Sequence, residues 1–134
     1  MAKASGLGMT LSIDNESGSA QAIGNDILSA TFSTPRGVQD ITGLDKSAME
    51  RLLLLSDFNL DVEAVWNPVA NPSSWGVFST YTDNDTRTVV IVVGGKTLTA
   101  ECVLSNVSWN RAADGAFTVS ANLQLANGTA AAWT

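Results

Sequence analysis

The sequence predicts a mainly β domain: antiparallel strands, one short helix, and a long arm that breaks the strand pattern. Three observations carry that prediction. Apolar and polar residues alternate with period two along much of the chain, which turns one face of each strand inward. Short Gly-, Asn- and Asp-rich stretches interrupt the alternation at hairpin spacing. The 134 residues are enough for one packed core without staples, so residues 1–134 are expected to form a single domain with an arm at 35–56.

The elements follow in order. Leu7, Met9, Leu11 and Ile13 alternate with Gly8, Thr10, Ser12 and Asp14 as a half-buried strand, and Asn15 to Ser19 is a turn. A second strand is expected from Ile27 to Thr34, with Leu28, Ala30 and Phe32 on one face, ended by Pro35-Arg36-Gly37. Residues 35–56 have no clean period. Ser47-Ala48-Met49-Glu50 matches a helix capping box, but Leu52 to Leu55 are apolar nearly all round. A short helix and a hydrophobic arm fit this segment equally well, and loops of this length in compact domains tend to be functional. Phe58, Leu60, Val62, Ala64 and Trp66 then form the cleanest strand, with Asp57, Asn59, Asp61 and Glu63 on its other face.

Asn71 can cap a short helix with Pro72 at its first position, burying Trp75, Phe78 and Tyr81. Thr86 to Val93 is β-branched almost throughout and is expected to be covered on both faces. Gly94-Gly95 signals a two-residue hairpin. The next strand, Lys96 to Trp109, keeps Leu98, Ala100, Cys102 and Leu104 in phase and then flips to Val107 and Trp109, so a bulge is expected near Ser105-Asn106. Asp114-Gly115 turns the chain into Phe117, Val119, Ala121, Leu123 and Leu125, backed by the uncharged polar row Thr118, Ser120, Asn122 and Gln124.

Composition excludes several functions. There is no histidine, which removes His-based acid–base chemistry, His-activated nucleophiles and His metal sites. Cys102 is the one cysteine, so no internal disulfide or cysteine cluster can form, and a buried core thiol is its ordinary role. A net charge of −6 argues against a surface that grips nucleic acid. No apolar run reaches the ~20 residues of a membrane span, and Met1-Ala2-Lys3-Ala4-Ser5-Gly6 has no signal-type apolar region. Asp83-x-Asp85 lacks the later glycine and glutamate of a calcium loop. Asp61 and Glu63 point the same way on one strand, whereas glycosidase chemistry needs carboxylates facing across a cleft. The sequons at Asn106 and Asn127 carry little without secretion. No enzyme and no cofactor are expected.

Two features remain. Residues 37–63 hold −4 of the net charge, in the arm and the acidic-faced strand. Thr88-Val89-Val90-Ile91-Val92-Val93 has no charge and high β-propensity, an association hazard if it lies at a sheet edge.

Asp40-Ile41-Thr42-Gly43-Leu44, Ser47, Glu50-Arg51-Leu52, Asp57 and the strand that follows resemble the major tail tube proteins of long-tailed bacteriophages. The resemblance covers roughly residues 25–126. It implies a small β-barrel or sandwich with one short flanking helix and a long arm loop, as also found in type VI secretion tubes. It implies a structural virion protein, made in the host cytoplasm and placed in the tail tube. Six copies would form a ring and rings would stack into a hollow tube, with the tape measure protein and other tail proteins as partners. Double-stranded DNA would pass through without specific binding during ejection, and no membrane would be engaged.

On that reading Asp57, Asp61 and Glu63 are candidate channel-lining acids, and Thr118, Ser120, Asn122 and Gln124 are the alternative channel face. Asp40, Thr42, Met49, Arg51, Leu52 and Leu53 are the candidate inter-subunit arm residues. A type VI-like tube or another tail-ring subunit is the nearest alternative. From a different class, a β-sandwich carbohydrate-binding module would use exposed tryptophans as stacking platforms.

Overall fold

The computed structural model describes residues 5–69 and 72–134. Its elements in chain order are β1 (Thr10–Asp14), β2 (Ala20–Ala22), β3 (Ile27–Ser33), β4 (Arg36–Asp40), β5 (Arg51–Ser56) and β6 (Asn59–Val65). These are followed by α1 (Ser74–Phe78), β7 (Arg87–Val93), β8 (Lys96–Arg111), β9 (Phe117–Leu125) and β10 (Ala132–Trp133). One antiparallel sheet runs in the order β2-β1-β7-β8-β9-β6-β3, and β10 pairs β8 off that path. Strands β4 and β5 form a separate hairpin.

The long strand β8 organises the sheet. Its first half pairs β7 from Lys96 to Cys102, and its second half pairs β9 from Cys102 to Arg111. The register shifts between Leu104 and Asn106, where the sequence phase flips. A bulge there bends and twists the strand, so the two halves of the sheet face different ways. Phe32 on β3 lies 6.2 Å, ring to ring, from Trp133 on β10. That contact brings the last strand of one half against the strand bordering the other. The sheet is folded over as a sandwich around one core.

The inward faces supply that core: Leu11, Ile13, Phe58, Leu60, Val62, Ala64, Val89, Ile91, Leu98, Ala100, Cys102, Val119, Ala121 and Leu123. Each large aliphatic or aromatic side chain buried there stabilises the fold by roughly 1.5–3 kcal/mol relative to exposure. Burial, then the negative charges of Glu101 and Asp57, pushes the Cys102 thiol up to about 12. The thiol is a core group with no reactive fraction at neutral pH.

Two turns form where their chemistry requires. Gly94 and Gly95, with φ of 59° and 79°, make the two-residue connection from β7 to β8. Positive φ at both positions is what a type I′ turn demands and what only Gly supplies without strain. Asp114-Gly115 turns β8 into β9, with Asp114 Oδ1 accepting from the Ala116 amide at 3.0 Å.

Helix α1 is held to the body by buried polar groups. Ser73 caps it, its Oγ accepting from the Gly76 amide at 3.0 Å. The expected start was two residues too early: Pro72 precedes the cap, and Asn71 lies outside the described residues. The Asp26 carboxylate accepts from the Ser74 amide at 2.9 Å and from Asn67 Nδ2 at 3.1 Å, tying the helix start to the end of β6. The helix end is gripped by Arg87, which is 1% exposed. Its Nη1 donates to the Val77 carbonyl at 2.6 Å and its Nη2 to the Thr80 carbonyl at 2.9 Å, adding charged donors where the Thr80 hydroxyl and the Asp83 amide also bond these carbonyls, each at 3.1 Å. Burial lowers the guanidinium below its usual value, and the negative charges of Asp83, Glu16 and Asp14 oppose that shift.

Several expectations are corrected. Leu28 does not share the inward face with Ala30 and Phe32; a register shift between Ile27 and Ser29 turns it out to solvent. Of the proposed helix face only Phe78 is buried, joined by Val77, while Trp75 and Tyr81 are exposed, because five residues give barely more than one turn. The uncharged run in β7 is not an edge. It lies between β1 and β8, and the expected cover on both faces is complete on one alone, with Val89 and Ile91 buried and Val90 and Val92 half-buried.

Candidate functional site: a polar sheet face and an apolar arm

The strand register brings the two rival polar rows into one surface. Asp61 lies directly opposite Asn122, Glu63 opposite Ser120, Asn59 opposite Gln124 and Val65 opposite Thr118. On the other side of β6, Thr31 faces Asp61 and Ser29 faces Glu63. On the other side of β9, Asn106, Ser108 and Asn110 continue the row. The sequence offered these as alternatives because alternation reveals the face of each strand but not which strands are neighbours. Directly opposed side chains on one face have Cβ atoms about 4.5–5.5 Å apart, so they form a continuous patch.

A hydrogen-bond relay orders that patch. Ser105, the extra residue in the β8 bulge, donates to Asn122 Oδ1 at 2.7 Å, and Asn122 Nδ2 donates to Asp61 Oδ1 at 2.7 Å. Gln124 Nε2 adds a further bond to Asn122 Oδ1 at 3.2 Å. A shallow concavity of about 260 Å³ lies over the patch between Ser29, Asp61, Glu63, Asn106 and Asn122. Asp61 and Glu63 are exposed, and none of the residues named on this face is basic. Asp57 is not in the strand. It lies at the junction of β5 and β6, where its Oδ1 accepts from the Phe58 amide and its own amide donates to the Pro35 carbonyl.

The stretch 35–56 holds the hairpin of β4 and β5, with Val38 opposite Leu53, Gln39 opposite Leu52 and Asp40 opposite Arg51. No helix forms over 47–55. The Ser47–Glu50 capping box therefore has no helix to cap, and the Glu50 amide is satisfied by the Thr42 hydroxyl at 2.8 Å. Successive strand residues face opposite ways, so Leu53 and Leu52 expose apolar surface on the two sides of the hairpin, at 56% and 50%. Met49, Val38 and Leu55 are exposed as well. Gly37 sits at a register shift where a Cβ would come 3.1 Å from Leu54 Cδ1, so the chains approach closely at the arm's base. An open concavity of about 1100 Å³ lies there, lined by Pro35, Gly37, Leu53, Leu54, Leu55 and Asp57.

Asp40 and Thr42 close the arm's tip. Asp40 Oδ1 accepts from the Thr42 hydroxyl at 2.6 Å and from the Thr42 amide at 2.9 Å, and these bonds hold the Asp40 carboxyl below its usual value. A depressed carboxylate stabilises the closed tip above its unfolded value of ~3.9, and that contribution is lost as pH falls through the depressed folded value. Thr42→Val is expected to open the tip already at neutral pH, seen as faster hydrogen exchange at the Glu50 and Thr42 amides. Equal protection in wild type and variant would show that the clasp does not hold the hairpin.

The tryptophans do not make a flat platform. Trp109 meets Trp66 at 74° and Phe117 at 81°, edge to face, while Trp66 stacks on Phe117 at 26°, so the rings at this end of the sandwich pack on one another.

A bulged strand shared by two half-sheets, a flanking helix and a hairpin apart from the main sheet together define this fold. A chain in the tail of an empty gene transfer agent particle, solved by helical refinement with C6 symmetry, superposes with a TM-score of 0.77 at 13% identity over 99% of each chain. A chain of the virion of a native gene transfer agent particle gives a TM-score of 0.73 at 12% identity, again over 99% of each chain. The fold expected from the sequence resemblance is thus borne out. No protein-family model matches the chain, and no curated protein matches its sequence.

Proposed function

We propose that this chain is a structural subunit of a phage-type tail tube. Six copies form a ring, rings stack through the arm, and double-stranded DNA passes along the channel. The observation that carries this reading is the pairing of a projecting, apolar, exposed arm with a wide polar face whose only charges are negative. A sixfold tail assembly holds a chain of the same fold, which supports the ring geometry. The subunit's role is shape rather than catalysis.

The polar face supplies the channel wall, with Asp61 and Glu63 set among Thr118, Ser120, Asn122 and Gln124. Duplex DNA carries one phosphate charge per ~1.7 Å, and a basic wall would hold it by counterion release. Acids repel it within a Debye length of ~8 Å at physiological salt. The arm residues Asp40, Thr42, Met49, Arg51, Leu52 and Leu53 form the contact between subunits, Asp40 and Thr42 by holding its tip closed.

Negative-stain microscopy of concentrated protein tests the whole reading: hollow tubes or sixfold rings are expected, and monomers at every concentration would sink it. Asp61→Lys with Glu63→Lys is expected to leave tube assembly intact. It should make the tubes retain added duplex in a salt-dependent way, measured by co-sedimentation. A reconstruction with Asp61 on the outer wall would remove the channel assignment.

A further inference from the structure

We infer that Asn127 is a site of spontaneous deamidation whose product loosens the C-terminal strap. Asn127-Gly128 is the one Asn-Gly pair in the chain; every other asparagine precedes a residue with a side chain or a proline. The segment from Ala126 to Ala130 is exposed and lies outside any helix or strand. Gly128 has φ of 74°, and a Cβ placed on it would meet nothing within 4 Å, so the space beside its Cα is open. The Asn127 side chain is already folded back: its Oδ1 accepts from the Thr129 amide at 3.1 Å. That donor points at the oxygen on which negative charge grows when the Asn127 Cγ is attacked, the arrangement that favours such a step.

The chemistry is closed. The Gly128 nitrogen attacks Asn127 Cγ, a new N–C bond forms, the Cγ–Nδ2 bond breaks, and ammonia leaves carrying the amide proton. Solvent water then opens the five-membered imide at either carbonyl. One product is aspartate; the other is isoaspartate, in which the main chain runs through Cγ. No oxidant or catalyst is needed.

The location gives the change a consequence. Asn127 borders a concavity of about 270 Å³ together with Glu101 and Ala132, and the Ala126 amide donates to the Glu101 carbonyl at 2.9 Å. Either product adds a carboxylate beside Glu101. Isoaspartate also lengthens the main chain by one methylene, about 1.5 Å, against a strand repeat of ~3.3 Å. The strap beyond it is held by Ala132 opposite Thr99, Trp133 opposite Leu98, a reciprocal amide pair between Thr97 and Thr134 at 3.0 and 2.8 Å, the Trp133 ring 6.2 Å from Phe32, and Ala131 against the core.

The test is to age the purified chain in warm, mildly alkaline buffer and follow peptide masses and amide exchange together. The peptide holding Asn127 is expected to gain about one mass unit before any other, with an isoaspartate isomer, and protection at Thr97 and Thr134 should fall in step. Asn127→Gln should keep both mass and protection. An intact Asn127 after Asn25 or Asn84 has reacted overturns the site. A deamidated chain that keeps its strap protection, or an Asn127→Gln chain that loses it at the wild-type rate, overturns the coupling.

Discussion

Leu52→Asp is expected to yield a folded, soluble monomer that no longer elongates into tubes. Leu52 is on a hairpin separate from the main sheet, so the substitution removes nothing from the core. Changes at such exposed positions usually alter monomer stability by no more than about 0.5 kcal/mol. In the proposed tube the same position is desolvated against a neighbour. An unpaired carboxylate there costs several kcal/mol, and every ~1.4 kcal/mol weakens an interface tenfold. The measurements are circular dichroism for the fold and sedimentation or microscopy for the tube. Tubes of normal length at the wild-type concentration would mean that the arm is ordinary surface. Leu53→Asp samples the opposite side of the hairpin, and comparing the two shows which side bears the contact.

Arg87→Met is expected to have the largest effect on the subunit itself. Methionine has nearly the volume of the buried stem but donates nothing. The Val77 and Thr80 carbonyls then lose their charged donor and keep only the Thr80 hydroxyl and the Asp83 amide, each at 3.1 Å. A hydrogen bond from a charged donor is worth about 1.5–3 kcal/mol, so losing the two should cost about 3–5 kcal/mol. For a domain of this size that lowers the melting midpoint by roughly 10–20 °C. A thermal melt reads it directly. A shift under about 2 °C would mean that the guanidinium is replaceable and the helix end finds other donors.

Much of the body was legible because a folded-over antiparallel sheet writes one signal per strand. The inward residues of β6 and β9 are the alternating positions, and the phase flip in β8 marks its bulge. What alternation cannot encode is which strands are neighbours. Asp61 and Asn122 were rivals in the sequence and hydrogen-bonded partners in the structure. The Thr88–Val93 run was a hazard only if it lay at an edge, a point alternation left open, and it is internal. The arm hid its strands for a different reason. Its hairpin is apolar on both sides, so Leu52 to Leu55 show no period at all. Arg87 gave no local sign, because its acceptors are the helix carbonyls that only tertiary packing brings to it. The Ser47–Glu50 pattern was local sequence without the following helix that gives it meaning.

The placement of β7 also bears on how the chain folds. Its two partners differ in sequence distance: β8 follows at once across Gly94-Gly95, while β1 comes from the other end of the chain. The near partner closes quickly; the distant one must overcome a long loop closure, which slows folding in β-rich topologies. During synthesis, at ~5–20 residues per second, β1 is already outside the ribosome when β7 emerges. Vectorial synthesis thus supplies the distant partner first and the near one next. Refolding from denaturant has no such order. The time the bare Val-rich run spends waiting for β1 then competes directly with encounters between chains, so yield becomes a matter of kinetics rather than of final stability.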